Sequence, residues 1–306
     1  MKAVLKRIAS MIPVLIGVML LTFILLRIVP GDPVSILLGE HYSQETIDRL
    51  TRAMNLDKPL WEQFISYVLG VFRGNLGVSY TLKRPVTALI LEAFPNTLKL
   101  ALMGAAFAWI VGILAGIIAA VTQNKAPDHI FMGFSLAGVS VPIFMSALFL
   151  QYVFSYRLKL LPLTSDGGAV SLILPAVALG WNSAGSVARM TRSSLIDVME
   201  ADYIDTARAK GLLRTAVILK HALKNALLPV ITMMALQLSS MMSGAVITES
   251  VFSVPGIGRL ATQSIMNRDM PLLQGTILFT TVLVILGNLA ADLLYSVVDP
   301  RIRNEG

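Results

Sequence analysis

The sequence predicts an all-α, polytopic membrane protein with six transmembrane helices and both termini on the cytoplasmic side. Three observations carry this expectation. The 306 residues are 55% hydrophobic and only 14% charged, with a mean hydropathy of +0.73, whereas soluble domains carry about a quarter charged residues. Six charge-free windows run over 8–26, 100–124, 130–156, 167–188, 225–248 and 270–291. Each is close to or above the roughly 20 apolar residues that a helix needs to cross a hydrocarbon core about 30 Å thick. With the N-terminus inside, thirteen Lys and Arg residues fall on inner segments and four (Arg157, Lys159, Arg259, Arg268) in the short outer loops. Such a bias orients a membrane protein with its basic loops in the cytoplasm.

The first window follows Lys2, Lys6 and Arg7 and runs straight into Arg27 without a small-residue cleavage site, so it reads as an uncleaved helix and not a secretory signal. The outer stretch from Arg27 to Lys99 opens on the turn Pro30-Gly31-Asp32-Pro33, where two prolines forbid helix continuation. Asp57 and Pro59 mark a helix start, after which Leu60, Phe64, Tyr67, Val68 and Val71 recur at helical spacing. Two readings stand evenly for this stretch. It is a helical cap on the membrane domain, or a docking surface for an external partner through charged residues such as Glu45, Asp48 and Arg52.

In the second helix, Gly104, Gly112 and Gly116 permit close helix approach, and packing within the chain is favoured over a dimer contact. Pro142 and Pro175 are expected inside helices three and four, where each bends its helix. The fourth window is the least apolar, with Ser171, Asn182, Ser183 and Ser186. The inner segment 189–224 carries seven basic and four acidic residues. Ile196, Met199, Tyr203 and Ala207 fall on one helical face, and Gly211 interrupts the helix. The segment is either an amphipathic helix on the lipid surface or a docking element.

Helix five offers Gln237, Ser239, Ser240 and Ser243 to line a permissive path, beside the adaptable Met233, Met234, Met241 and Met242. Glu249 and Asp292 are expected at helix ends, hydrated near the interfaces. No charge lies near a midplane, which disfavours a transporter driven through carboxylate proton relays.

Catalytic and metal chemistry are absent as patterns. There is no Cys, and His41, His129 and His221 lie in separate segments, so no metal site is expected. Neither G-x-S-x-G, H-E-x-x-H nor a P-loop occurs. Gly256-Ile257-Gly258-Arg259-Leu260-Ala261 matches a loose dinucleotide pattern without a strand before it, so its glycines are expected to shape a turn. The net charge of +7 goes with the membrane surface and not with nucleic acid.

The run Asp202-Tyr203-Ile204-Asp205-Thr206-Ala207-Arg208-Ala209-Lys210-Gly211 resembles the cytoplasmic EAA loop of binding-protein-dependent ABC importer permeases, in its dipeptide/oligopeptide/nickel form. Pro30-Gly31-Asp32-Pro33, the stretch His221 to Pro229, Glu249 through Gly258, Asn267-Arg268-Asp269 and Asp299 to Arg303 also fit, over essentially the whole chain. The long outer segment is similar to that of the first of two permease subunits. Where the broad pattern has Glu-Ala-Ala this chain has Asp205-Thr206-Ala207, and its Leu-Pro pair comes late, at Leu228-Pro229. Both departures are usual in the peptide/nickel subgroup.

The resemblance implies a type I ABC importer transmembrane fold in the cell inner membrane. Its expected division is an N-terminal helix with the outer segment (1–94), a five-helix core with the coupling loop at about 189–224 (95–299) and a cytoplasmic tail (300–306). It implies that Tyr203, Asp205, Thr206, Ala207, Arg208, Lys210 and Gly211 meet a groove on a cytoplasmic ATPase. The partners implied are a second homologous permease, two ABC ATPases and an extracytoplasmic substrate-binding protein. ATP and Mg belong to the ATPases, no cofactor to this chain, and no nucleic acid is involved. Short peptides are the expected substrate, with glutathione-like compounds or nickel chelates as the alternative. A stand-alone secondary transporter lacks the intramembrane charges it would need, and a membrane enzyme lacks nucleophile and metal constellations.

Overall fold

The computed structural model describes the backbone of residues 2–28, 44–53, 56–242 and 245–298, and the side chains of 11–25, 45–49, 51–52, 56–242 and 245–291. The turn at 30–33, His41, Ser243 and the motif at 299–303 lie outside the described residues. Among those described there is no strand, only an isolated bridge between Val78 and Pro85. The helices are α1 (Lys2–Ile28), α2 (Gln44–Ala53), α3 (Leu60–Phe72), α4 (Val86–Val121), α5 (Ala126–Ser140), α6 (Ile143–Arg157), α7 (Ile173–Met199), α8 (Asp202–Ala209), α9 (Arg214–Met242), α10 (Val246–Val251), α11 (Ile257–Met266) and α12 (Met270–Val298). Two compact units result, one from Met1–Pro95 with Pro255–Ile285, the other from Asn96–Val254 with Leu286–Gly306.

In the first unit, α3 starts directly after Pro59, as the spacing of its apolar residues predicts. Phe64 and Tyr67 of α3 face Phe23 of α1, with ring centroids 5.3 and 6.3 Å away. Val86, Leu89, Ile90 and Ala93 of α4 close over Ile257 and Leu272. Gly256 caps α11 and Gly258 is buried in its first turn, so the glycine pair shapes a helix start.

Asp269 is the polar anchor of this unit. Its Oδ2 accepts from Ser79 Oγ (2.5 Å), Thr81 Oγ1 (2.5 Å) and Thr81 N–H (3.0 Å), and its Oδ1 from the N–H of Leu272 (3.3 Å). Burial pushes this carboxyl up, but the donors of Ser79 and Thr81 outweigh burial and hold it below the ordinary carboxylate range. A depressed folded value means that ionised Asp269 stabilises the fold above pH ~4, a contribution lost as pH falls through the lower folded value. Asp269→Asn should lower the unfolding temperature at pH 7, with the gap to wild type narrowing in acid. Equal unfolding temperatures at pH 7 would show that the anchor contributes nothing.

The second unit is built around α7, which packs on α5, α6 and α9. Its contact with α4 is made by glycine. A Cβ on Gly112 would stand 2.8 Å from the Ala184 carbonyl oxygen, and one on Gly116 2.6 Å from that of Ala188. A Cβ on Gly180 of α7 would collide with the Gly104 carbonyl oxygen in the same way. The small-residue spacing thus serves packing within the chain, as expected. Against α5, Arg192 of α7 grips the buried Asp128 with two hydrogen bonds, at 2.6 and 2.7 Å.

Several expectations are corrected. The third window is two helices bent by 107°. Val141 is extended and Pro142 caps α6, because proline has no N–H to continue the ladder and forces its predecessor out of the helical region. Pro175 lies in the first turn of α7 and bends nothing. That helix starts at Ile173 and runs on through Arg189 and Arg192. Among the described residues, three helices are long and apolar enough to cross a membrane, or four with the bent pair as one. Helix α7 is not among them, since much of its surface meets small residues of neighbouring helices and so need not be apolar enough for lipid.

Candidate functional site

Two features of the second unit offer chemistry to a partner or a solute. The first is the basic turn around α8. Helix α7 ends at Met199, and Ala201 is extended (ψ 142) before α8 begins with Asp202 and Asp205 in its first turn, where carboxylates favour a helix start. The expected single face from Ile196 to Ala207 is therefore split over two helices. Ile204 and Ala207 point into an apolar cluster with Ala120, Leu195, Val217, Ala222 and Ala226.

Ala207 is thus not part of an outward-facing surface. Its smallness lets α8 sit close against its own chain. Tyr203 is half-exposed, and its hydroxyl accepts from Asn225 Nδ2 at 2.9 Å. Asp205, Thr206, Arg208, Lys210 and Gly211 are exposed. Arg208 pairs with Asp205 at 2.9 Å and reaches the Met199 carbonyl at 3.4 Å, placing a cation at the end of α7.

Gly211 stands just past the helix end with φ +74, and its N–H bonds to the Arg208 carbonyl at 3.0 Å. This left-handed position ends α8 and turns the chain towards α9. Leu213 follows, 76% exposed. It belongs to the exposed surface, and the signal for it was a large apolar residue between the glycine of the turn and Arg214.

The second feature is an open cavity of ≈ 440 Å³ lined by Gln237 and Ser240 of α9, Asn182 and Ser183 of α7, and Thr248 of α10 among apolar neighbours. Of the four residues expected along a path, two therefore meet here. Ser239 faces the other way, is buried, and pairs with Asn288 at 3.2 Å. Ser243 lies outside the described residues. Asn182 and Ser183 were missed because α7 is far from α9 in sequence, and Thr248 because it stands on a separate helix, α10.

Behind Thr248, Glu249 is fully buried and accepts from Thr97 Oγ1 of α4 at 2.8 Å. For Glu249 the expectation of a hydrated carboxylate is thus corrected, while the side chain of Asp292 lies outside those described. Among the described residues, no group of His, Asp and Glu could hold a metal ion. On α2, Glu45, Asp48 and Arg52 are all exposed.

The sequence matches two family models. Residues 1–101 match the N-terminal part of the binding-protein-dependent transport system membrane component, and 112–304 match the binding-protein-dependent transport system inner membrane component. The dipeptide transport system permease protein DppB of Escherichia coli K12 is 39% identical over 334 aligned positions, covering 99% of this chain and 98% of the relative. The glutathione transport system permease protein GsiC of Shigella flexneri serotype 5b is 40% identical over 300, covering 98% of each. The fold is similar to that of a solved inward-facing MetNI methionine ABC transporter, with a TM-score of 0.60, 17% identity and coverage of 69% of this chain and 96% of that one. The chain is a multi-pass inner-membrane protein, and it belongs to the family of binding-protein-dependent transport system inner membrane components.

Proposed function

We propose that this chain is a pore-forming permease subunit of an ATP-driven importer that moves short peptides across the inner membrane. The observation that carries the reading is similarity over 99% of the chain to a dipeptide permease. A second reading, import of glutathione-like compounds, has its own support. The glutathione permease aligns over 300 positions, whereas alignment with the dipeptide permease spans 334, more than the 306 residues present, so that relative carries segments this chain lacks.

In this reading the chain spans the membrane six times with both ends inside, α1 and α7 supplying spans beside the long apolar helices. The outer segment receives an extracytoplasmic binding protein through α2. The exposed side of α8 and the turn from Lys210 to Leu213 meet a cytoplasmic ATPase, one of two. A second permease completes the pore. ATP and Mg are used by the ATPases, and this chain holds no cofactor. Closure of the ATPases moves α8, and its close packing on Ala120 and Ala226 transmits that motion to α4 and α9, switching access between the two sides.

The assembled transporter in proteoliposomes should take up radiolabelled glycyl-leucine only with ATP and binding protein. Uptake of glutathione but not of glycyl-leucine would replace the first reading by the second. Because the chain has no Cys, Gln44→Cys and Thr215→Cys test the orientation directly. An impermeant thiol reagent should reach only the first in intact cells.

A further inference from the structure

Two residues that line the cavity between α7, α9 and α10 each carry a buried polar atom with nothing to bond. Gln237 Oε1 and Thr248 Oγ1 are both buried without a partner, and both residues line the cavity. Thr248 is 1% exposed. The other end of the Gln237 amide points towards the Ser183 carbonyl, at 3.5 Å, which leaves Oε1 as a fixed acceptor. A buried polar atom without a partner is costly, and such atoms call for an explanation, an absent ligand among them.

The rest of the wall narrows the chemistry. Its polar groups are amides and hydroxyls (Asn182, Ser183, Ser240), and among the described residues none that lines it is charged. A charged wall would hold one sign of solute too firmly to release it, and conduction needs binding weak enough to leave. An acceptor and a hydroxyl set in a neutral wall complement a group that offers one N–H and one C=O together. A peptide bond is such a group, and it is common to all short peptides whatever their side chains.

We propose that Gln237 and Thr248 recognise the peptide unit of the solute in transit, Gln237 Oε1 accepting its N–H and the Thr248 hydroxyl donating to its carbonyl. The inference rests on the reading of the chain as a peptide permease. It makes these two residues the specificity-determining pair, blind to side chain and terminal charge.

The test uses the whole transporter in proteoliposomes with two radiolabelled probes, glycyl-leucine and glycyl-N-methyl-leucine, the second lacking the peptide N–H. The binding protein is the same throughout, so its own preference cancels when variants are compared. Gln237→Leu should lower kcat/KM for glycyl-leucine about tenfold, the usual effect of leaving one buried hydrogen bond unmade, and change the methylated probe less than about twofold. Thr248→Val should impair both probes, with Thr248→Ser restoring them. Gln237→Met, closer in size, repeats the comparison should the leucine variant fail to assemble. Equal loss for both probes in the Gln237 variants, or no loss, overturns the site while leaving peptide import standing. Failure of the wild type to import either probe overturns the site and the peptide reading together.

Discussion

Gly116→Val should abolish stable accumulation of the protein, lowering its apparent unfolding temperature in detergent by about 5–10 °C where any survives. A Cβ at this position would lie 2.6 Å from both the Ala188 carbonyl oxygen and Thr191 Cβ. The first is backbone of the helix at the centre of the second unit, so no rotamer change relieves the clash. Forced overpacking of this kind costs roughly 1–3 kcal/mol and more where backbone must shift. Gly133→Ala is the matched control, since a Cβ there meets nothing within 4 Å. Ala also has the better helix propensity, by about 1 kcal/mol. Gly133→Ala should leave the unfolding temperature unchanged or raise it. Parallel losses in the two variants would mean that glycine matters here for some reason other than close approach to α7.

The glycine spacing in α4 and the helical phase of α3 were legible because both are local periodic signals. Other features were hidden for the same reason. A charge-free window reports composition, so 130–156 reads as one span although Pro142 divides it and the chain bends by 107°. Burial of Glu249 depends on Thr97, 152 residues away, and no local pattern announces that pairing. The inward face of α8 is not legible in the sequence, where the apolar spacing continues a single helix from α7. The break at Ala201 resets the phase, turning Ile204 and Ala207 inward. The cavity was half legible. A row of polar residues on α9 is visible in sequence, but which of them face a solute is decided by α7 and α10.

Substitutions at Gly211 should uncouple transport in the order Val, then Ala, then Asn, with Asn closest to wild type. Gly211 is left-handed, with φ +74, and a Cβ there meets nothing within 4 Å, so the effect comes from the backbone alone. Non-glycine residues pay roughly 1–2 kcal/mol in this region, with β-branched residues worst and Asn least affected. The strain falls on the turn that presents Lys210 and Leu213, and its relief would rotate that surface away from an ATPase. In the Val variant, membrane insertion should be normal, while ATPase subunits are lost on purification or hydrolyse ATP without uptake. Ala207→Asp should reach the same phenotype by another route. It sets a carboxylate into the cluster of Leu195, Ile204 and Val217, a burial that unpaired charges resist strongly, so α8 should lift off and become sensitive to protease. Protease sensitivity separates the two routes, because the Gly211→Val helix stays seated on the cluster. Normal uptake with stoichiometric ATPase in both variants would remove α8 and its turn from the coupling path and return the segment to a lipid-surface helix.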